Sequence, residues 1–183
     1  MPKRIVLPKI LFFTTGLPGA GKTSFATKLT EFTNVKRLSI DSVCYELFLF
    51  PKFNDPTERK IILEEMDRRA EDLLWSDIPI IYDGNFNTIE KRKHPVEFAK
   101  KQGIPFTCVY INTPKSVSEE AAKIPRQEEK PGTMRVVTQE QFEQKVKEFE
   151  DPNEISHVEI NGTDEFSKQY GIVSNFLKEQ NIS

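Results

Sequence analysis

The chain has 183 residues, of which 37 % are hydrophobic and 30 % charged, with 14 phenylalanines and a formal net charge of −2. That length suits one domain and that mix holds enough apolar surface for a core, which excludes both a pair of full domains and disorder as the main state. No apolar run approaches the ~20 residues of a bilayer span. The opening MPKRIVLPKILFF lacks a small-residue cleavage site, and Cys44 and Cys108 have no CxxC partner. The expectation is a cytoplasmic protein with two buried thiols, and neither a disulfide framework nor a thiolate zinc site.

The near-neutral total hides an asymmetry. Residues 1–40 hold seven basic residues (Lys3, Arg4, Lys9, Lys22, Lys28, Lys36, Arg37) against the single acid Glu31, a balance of +6 that leaves −8 for the remainder. Such bias is either a solvated patch or the field around an anionic ligand.

In chain order, short apolar runs alternate with amphipathic stretches, the pattern of an α/β domain with a largely parallel sheet. Strands are predicted at Ile10 to Thr14, Arg37 to Ile40, Ile78 to Tyr82, Phe106 to Ile111 and His157 to Ile160. Between the first two lies the amphipathic run Ser24 to Thr33. From Thr57 to Ser76, Ile62, Met66, Ala70, Leu73 and Leu74 share one helical face, and Trp75 is expected to join the core. Phe142, Val146 and Phe149 repeat the spacing, as do Phe166, Tyr170, Val173 and Leu177. Ser116 to Val137 departs from this scheme. It is dense in charge and broken by Pro125, Pro131 and Gly132, a composition suited to a solvated, movable segment.

The chemistry begins after the first strand. Gly16-Leu17-Pro18-Gly19-Ala20-Gly21-Lys22-Thr23 matches GxxxxGK[ST], the P-loop, with Ser24 following. Backbone N–H groups must turn inward around a phosphate, which calls for shapes glycine adopts without steric cost. Lys22 would then meet the β- and γ-phosphates, the Thr23 hydroxyl would hold Mg²⁺, and the helix starting near Lys22 would add its N-terminal dipole.

Two acids stand at the ends of later strands. Asp41 follows the second, where a residue faces the ligand crevice of a parallel sheet; it is either a general base for an attacking hydroxyl or the N-cap of the next helix. Asp83 closes the apolar run Ile80-Ile81-Tyr82, a Walker B-like placement for a magnesium carboxylate, although Gly84 and Asn85 could equally make a plain turn. His94 and His157 stand alone and are read as structural.

Taken in order, Gly16 to Thr23, Ser39-Ile40-Asp41, Ile80 to Phe86 followed by Arg92, Phe106 to Ile111 with Asn112-Thr113-Pro114, Arg135-Val136-Val137, and Phe149-Glu150-Asp151-Pro152 resemble the small P-loop kinases typified by polynucleotide kinase and related to zeta toxins. The resemblance implies a three-layer P-loop NTPase fold over residues 1–183: a five-stranded, mainly parallel sheet of the nucleoside-monophosphate-kinase kind with a small helical lid, here about 116–137. It also implies ATP as donor, Mg²⁺, Asp41 as the base, and Arg126 as the lid arginine on the transferring phosphoryl. By the same resemblance the loop Asn161-Gly162-Thr163 passes the adenine. Two positions depart from the pattern. Cys44 stands where relatives often carry an acceptor-phosphate arginine, and Glu119, Glu120 and Lys123 precede Arg126 where relatives tend to carry paired arginines.

The expected function is therefore transfer of the γ-phosphoryl of ATP to a hydroxyl of a small molecule. The alternatives are a polynucleotide 5′-hydroxyl kinase, which Cys44 and the acidic remainder disfavour, and an ATP-binding regulator with little transfer. The acceptor region, Cys44 to Asp77, offers Phe48, Phe50, Pro51 and Phe53 either as an apolar wall or as ordinary packing.

Overall fold

The computed structural model describes residues 4–48, 55–127 and 134–182, with backbone alone for Arg126, Gln127, Met134 and Arg135. Phe50, Pro51 and Phe53 lie outside these residues. Strand β1 (Leu11–Thr15) leads to helix α1 (Lys22–Phe32), then β2 (Lys36–Ser39), α2 (Ile40–Leu47), α3 (Pro56–Trp75), β3 (Ile80–Asp83), α4 (Ile89–Gln102) and β4 (Phe106–Ile111). After these come α5 (Lys115–Lys123), the short strands β5 (Arg126–Gln127) and β6 (Met134–Arg135), α6 (Gln139–Glu148), β7 (His157–Ile160) and α7 (Phe166–Glu179).

Five strands form one parallel sheet in the order β2-β3-β1-β4-β7, with β1 at its centre. Because side chains alternate along a strand, β1 and the residue before it feed both faces. Leu11 and Phe13 enter a core with Val43, Met66, Ala70 and Phe98, under α2, α3 and α4. Ile10 and Phe12 enter the opposite core with Phe25, Leu29, Val173 and Leu177, under α1 and α7. Full burial of each of these phenylalanines is worth ~1.5–3 kcal/mol, so β1 anchors both layers. This is the α/β architecture with a parallel sheet that the alternation predicts, in the three layers that the resemblance implies.

The predicted strand at Ile78 starts later, at Ile80, because Asp77 turns with φ 56 and Pro79 has no N–H to give a ladder. Trp75 is a correction. It ends α3 at 90 % exposure, while Leu74 beside it is buried. At about 100° per residue, Ile62, Leu63, Met66, Ala70 and Leu74 make one buried stripe, and the step to Trp75 leads out of it.

The segment 116–137 is less uniform than its charge suggests. Ser118 and Ala122, one turn apart on α5, are buried, and Ala122 packs with Val137 and Phe142 against Leu17. Small side chains let this helix dock, whereas its charged residues point outward. Beyond it, β5 and β6 pair antiparallel, with Arg126 opposite Arg135.

Candidate active site

The glycine run after β1 has the backbone its chemistry requires. Gly16, Gly19 and Gly21 have φ of 145°, 79° and 105°, values at which other residues are strained. Close approach makes the same demand: a Cβ on Gly19 would lie 2.1 Å from the Ser118 carbonyl oxygen. Gly21 then caps α1 at the N-terminus, directing the first free N–H groups of the helix toward the loop. Lys22 Nζ is drawn over the turn, donating to the carbonyls of Gly16 (2.7 Å) and Leu17 (2.9 Å). Gly19, Gly21, Lys22, Thr23, Ser24 and Ala121 line a cavity of about 180 Å³. That is room for phosphate groups, smaller than the ~300 Å³ and above of a whole-ligand pocket.

The acid at the end of β3 meets this loop. Asp83 is buried, and its Oδ1 accepts from the Thr23 hydroxyl at 3.4 Å. Its Oδ2 is held by Arg37, with Nε at 2.8 Å and Nη2 at 2.6 Å. Arg37 was counted in the sequence only as part of a basic patch. It reaches Asp83 because β2 and β3 run in register, Arg37 beside Ile81 and Ser39 beside Asp83. Thr23 and Asp83 together supply hard oxygen donors of the kind Mg²⁺ prefers, alongside phosphate and water.

Asp41 lies in the first turn of α2, two residues beyond the position level with Asp83. It is not the helix cap. That place belongs to Ser39, whose side chain accepts from the Ser42 N–H at 3.2 Å. Asp41 is thus excused from the structural task that competed for it. Burial, then the negative charges of Asp41 and Glu58, push the Cys44 thiol up to about 11. A buried neutral thiol cannot hold a phosphate in place of arginine.

Three further side chains, unmarked by the P-loop pattern, brace the cradle. Asn87 Oδ1 accepts from the Thr15 hydroxyl (3.2 Å) and the Gly16 N–H (3.1 Å), tying the loop after β3 to the start of the P-loop. Thr113 Oγ1 donates to the Ala20 carbonyl (2.8 Å) and accepts from Gly162 N (3.0 Å). The loop Asn161-Gly162-Thr163 is thereby seated on the P-loop so closely that a Cβ on Gly162 would lie 1.8 Å from the Ala20 oxygen. Arg92, 1 % exposed, bonds the carbonyls of Phe86, Glu150 and Asp151 and the Glu154 carboxylate. The Arg92 and Glu150-Asp151-Pro152 motifs, far apart in sequence, are one clamp.

The sequence over residues 11–152 matches the AAA domain family AAA_33. The chain belongs to that family. Among solved structures, this AAA_33 chain is similar to a gluconokinase from Sinorhizobium meliloti 1021, at TM-score 0.67 and 15 % identity over 97 % of this chain and 95 % of that one. It is also similar to an unliganded sugar kinase from Janibacter sp. HTCC2649, at TM-score 0.65 and 13 % identity over 96 % of each chain. APS kinase CysC from Mycobacterium tuberculosis, in complex with AMPPNP and APS, superposes at TM-score 0.64 with 19 % identity over 94 % of this chain and 98 % of that one. These likenesses establish the fold as that of P-loop kinases. No curated protein shows a significant sequence match.

Of the predicted site residues, Gly16 to Ser24 and Asp83 come together at the C-terminal edge of the sheet, and Asp41 stands at the same edge one strand further out. Arg126 lies in β5, and its side chain is outside the described residues. The histidines take other places. His94 Nε2 is 3.1 Å from Asp67 Oδ1, which also accepts from the Tyr82 hydroxyl, and His157 Nδ1 lies 3.1 Å from the Ile155 carbonyl. Among the described residues no group of three or more His, Cys, Asp or Glu could hold a metal, and no helix is long and apolar enough to cross a membrane.

Proposed function

We propose that this AAA_33 protein is an ATP-dependent phosphotransferase that moves the γ-phosphoryl of ATP to a hydroxyl of a small molecule. One observation carries the reading: the left-handed glycine turn, Lys22 and the Thr23–Asp83 contact converge at the carboxyl edge of a parallel sheet. The likeness to the gluconokinase, sugar kinase and APS kinase folds supports it.

In this reading Lys22 exchanges its two carbonyl bonds for phosphate oxygens, and the P-loop N–H groups hold the triphosphate in line with the acceptor. Thr23 and Asp83 would hold Mg²⁺, which supplies neutralisation of the β- and γ-oxygens when bound. Asp41 accepts the proton of the acceptor hydroxyl as its oxygen bonds to the γ-phosphorus. The bond from that phosphorus to the β–γ bridging oxygen breaks, and ADP leaves. Arg126, carried on the β5–β6 segment, closes on the transferring phosphoryl as the lid. The loop 161–163, already resting on Ala20, passes the adenine.

Incubation with γ-labelled ATP and a metabolite mixture tests the assignment. A labelled product should form with the unaltered chain and vanish with Lys22→Ala. Asp41→Asn should keep nucleotide affinity and lose transfer by ~10²-fold or more. Full turnover in either variant, or ATP hydrolysis with no phosphorylated product, overturns the reading.

A further inference from the structure

Arg59 stands on the first turns of α3, next to the loop that follows Asp83. Its Nη2 donates to the Asn85 carbonyl at a long 3.2 Å, and its guanidinium lies 5.9 Å from the centre of the Phe86 ring. The next residue of that loop, Asn87, is the brace on Gly16. Arg59 is therefore fixed at the rim of the active site by a stretch of chain that also touches the P-loop.

Its other donors are the anomaly. A guanidinium has five N–H donors, and a part-buried one is costly to leave without an anion. Among the described residues no carboxylate pairs with Arg59, although Arg37, Arg68, Arg69 and Arg92 all have one. Burial alone accounts for the lowering of its pKa, with no acid acting against it. A second cation faces the same way energetically. Lys91, on the first turn of α4, makes no ion pair among the described residues, and burial followed by the charges of Arg59 and Lys145 lowers its pKa. Lys145 is already paired with Glu148 at 2.7 Å. A part-buried guanidinium at this edge, with Lys91 near enough for its charge to be felt and only Glu148 acting on Lys91 in the other direction, is a receptor for an oxyanion. The Asn85 carbonyl takes one donor of Arg59, and covering Phe86 needs none, so the loop accounts for only part of a guanidinium.

We infer that Arg59, backed by Lys91, recognises an anionic group on the acceptor, so that the substrate is an alcohol bearing a phosphate, sulfate or carboxylate. The inference rests on the phosphotransfer reading for the word acceptor, and on the two side chains alone for the oxyanion. It also accounts for Cys44: with the cation supplied from α3 and α4, the position three residues after Asp41 is released to the core, where Cys44 is buried.

The test uses the full chain saturated with AMPPNP and Mg²⁺, so that the P-loop is filled. Sulfate, glycerol 3-phosphate, glycerate and glycerol are titrated at constant ionic strength while the thermal midpoint is followed. At least one oxyanion should raise the midpoint saturably and glycerol should not; which oxyanion does so distinguishes phosphate, sulfate and carboxylate. Arg59→Met should weaken that binding by ~10–100-fold, the range for a lost charge-assisted hydrogen bond, with a much smaller change in AMPPNP affinity. Arg59→Lys should fall between, and Lys91→Met, which leaves Arg59 in place, should cost several-fold. No saturable oxyanion binding, or equal affinity in Arg59→Met and the unaltered chain, overturns the inference. Arg59-dependent oxyanion binding without any transfer overturns the phosphotransfer reading and leaves the oxyanion site standing. Transfer to neutral alcohols that Arg59→Met does not alter has the opposite consequence.

Discussion

Two loops meet at the carboxyl edge of the sheet, and they are built by opposite means. The P-loop is shaped from within, by three glycines whose left-handed backbone few other residues would accept. The loop after β3, from Gly84 to Thr88, is shaped from without. Arg59 holds the Asn85 carbonyl from 26 positions away, Arg92 joins the Phe86 carbonyl to that of Glu150, which lies 58 positions beyond Arg92, and Glu150 accepts from the Ile89 N–H just beyond the loop. A loop of the first kind carries its shape in a local motif. One of the second kind owes its shape to partners that only the fold brings near.

The largest effect should come from cutting the second loop loose. Arg92→Met removes the donor from three backbone carbonyls and leaves Glu154 without its cation, a loss of about 3–5 kcal/mol by analogy with broken buried pairs. Urea unfolding measures it, and a loss below ~1 kcal/mol would mean that the clamp is dispensable. Burial works against the ionised Glu154, but the Arg92 hydrogen bond, a backbone hydrogen bond and the charges of Arg92 and His157 together outweigh it, and its pKa is lowered.

Gly19→Ala attacks the other loop. The new Cβ meets the Ser118 carbonyl at 2.1 Å with φ at +79°, so either α5 moves or the P-loop does. A stability loss of about 2–3 kcal/mol is expected, with a fall in AMPPNP affinity of ~10²-fold read by calorimetry. Unchanged affinity would show that the cradle tolerates displacement, and the contrast between the loops would weaken.

This contrast explains what was legible in advance. The five strands, the alternation with helices and the run Gly16 to Thr23 are local signals, readable from apolar periodicity and glycine spacing. Asp83 was legible because it closes an apolar strand beside a P-loop. Arg37 and Asn87 were not, and Thr113 stood in a quoted motif without a partner, because nothing in an isolated Arg, Asn or Thr says which group it will meet once β3 and β4 flank β1 and β2 lies beyond β3. Arg59 is harder still, being marked by the lack, among the described residues, of a carboxylate partner that only the fold reveals. Trp75 was misjudged for the complementary reason: an aromatic next to a core stripe looks buried until the helix phase places it 90 % in solvent.

Asn87→Ala tests the tie between the loops. It leaves the Thr15 hydroxyl and the Gly16 N–H without their acceptor, at a cost of about 1–2 kcal/mol. Nucleotide affinity should fall several-fold, measured alongside the unfolding midpoint. A variant that loses stability but keeps full affinity would show that the P-loop needs no external brace.

Cys44 offers a pH-dependent probe of the outer side of the site. Burial and the charges of Asp41 and Glu58 push its thiol from the ordinary 9.0 up to about 11, so above pH 9 the folded chain retains a proton that the unfolded chain has lost. Stability from this group is complete below pH 9 and is lost as pH rises toward 11, about 1 kcal/mol by pH 9.5. The Cys44→Ala variant should show a correspondingly shallower decline between pH 8 and 10. An identical slope would mean that neither burial nor the charges of Asp41 and Glu58 shift this thiol.

The smallest effect separates two adjacent threonines at the end of β1. Both are buried, but the Thr15 hydroxyl bonds to Asn87 while the Thr14 hydroxyl has no partner in the structure. Thr15→Val should cost about 1 kcal/mol, the net worth of a buried hydrogen bond whose acceptor is left behind. Thr14→Val removes a polar atom that gains nothing from its burial, and should be neutral or stabilising by up to ~1 kcal/mol. If the two variants lose stability equally, the Asn87 bond adds nothing to strand burial and the tie from the loop after β3 to the P-loop rests on the Gly16 N–H alone. If only Thr15→Val loses stability, external bracing extends back into the central strand, and the self-shaped loop begins at Gly16.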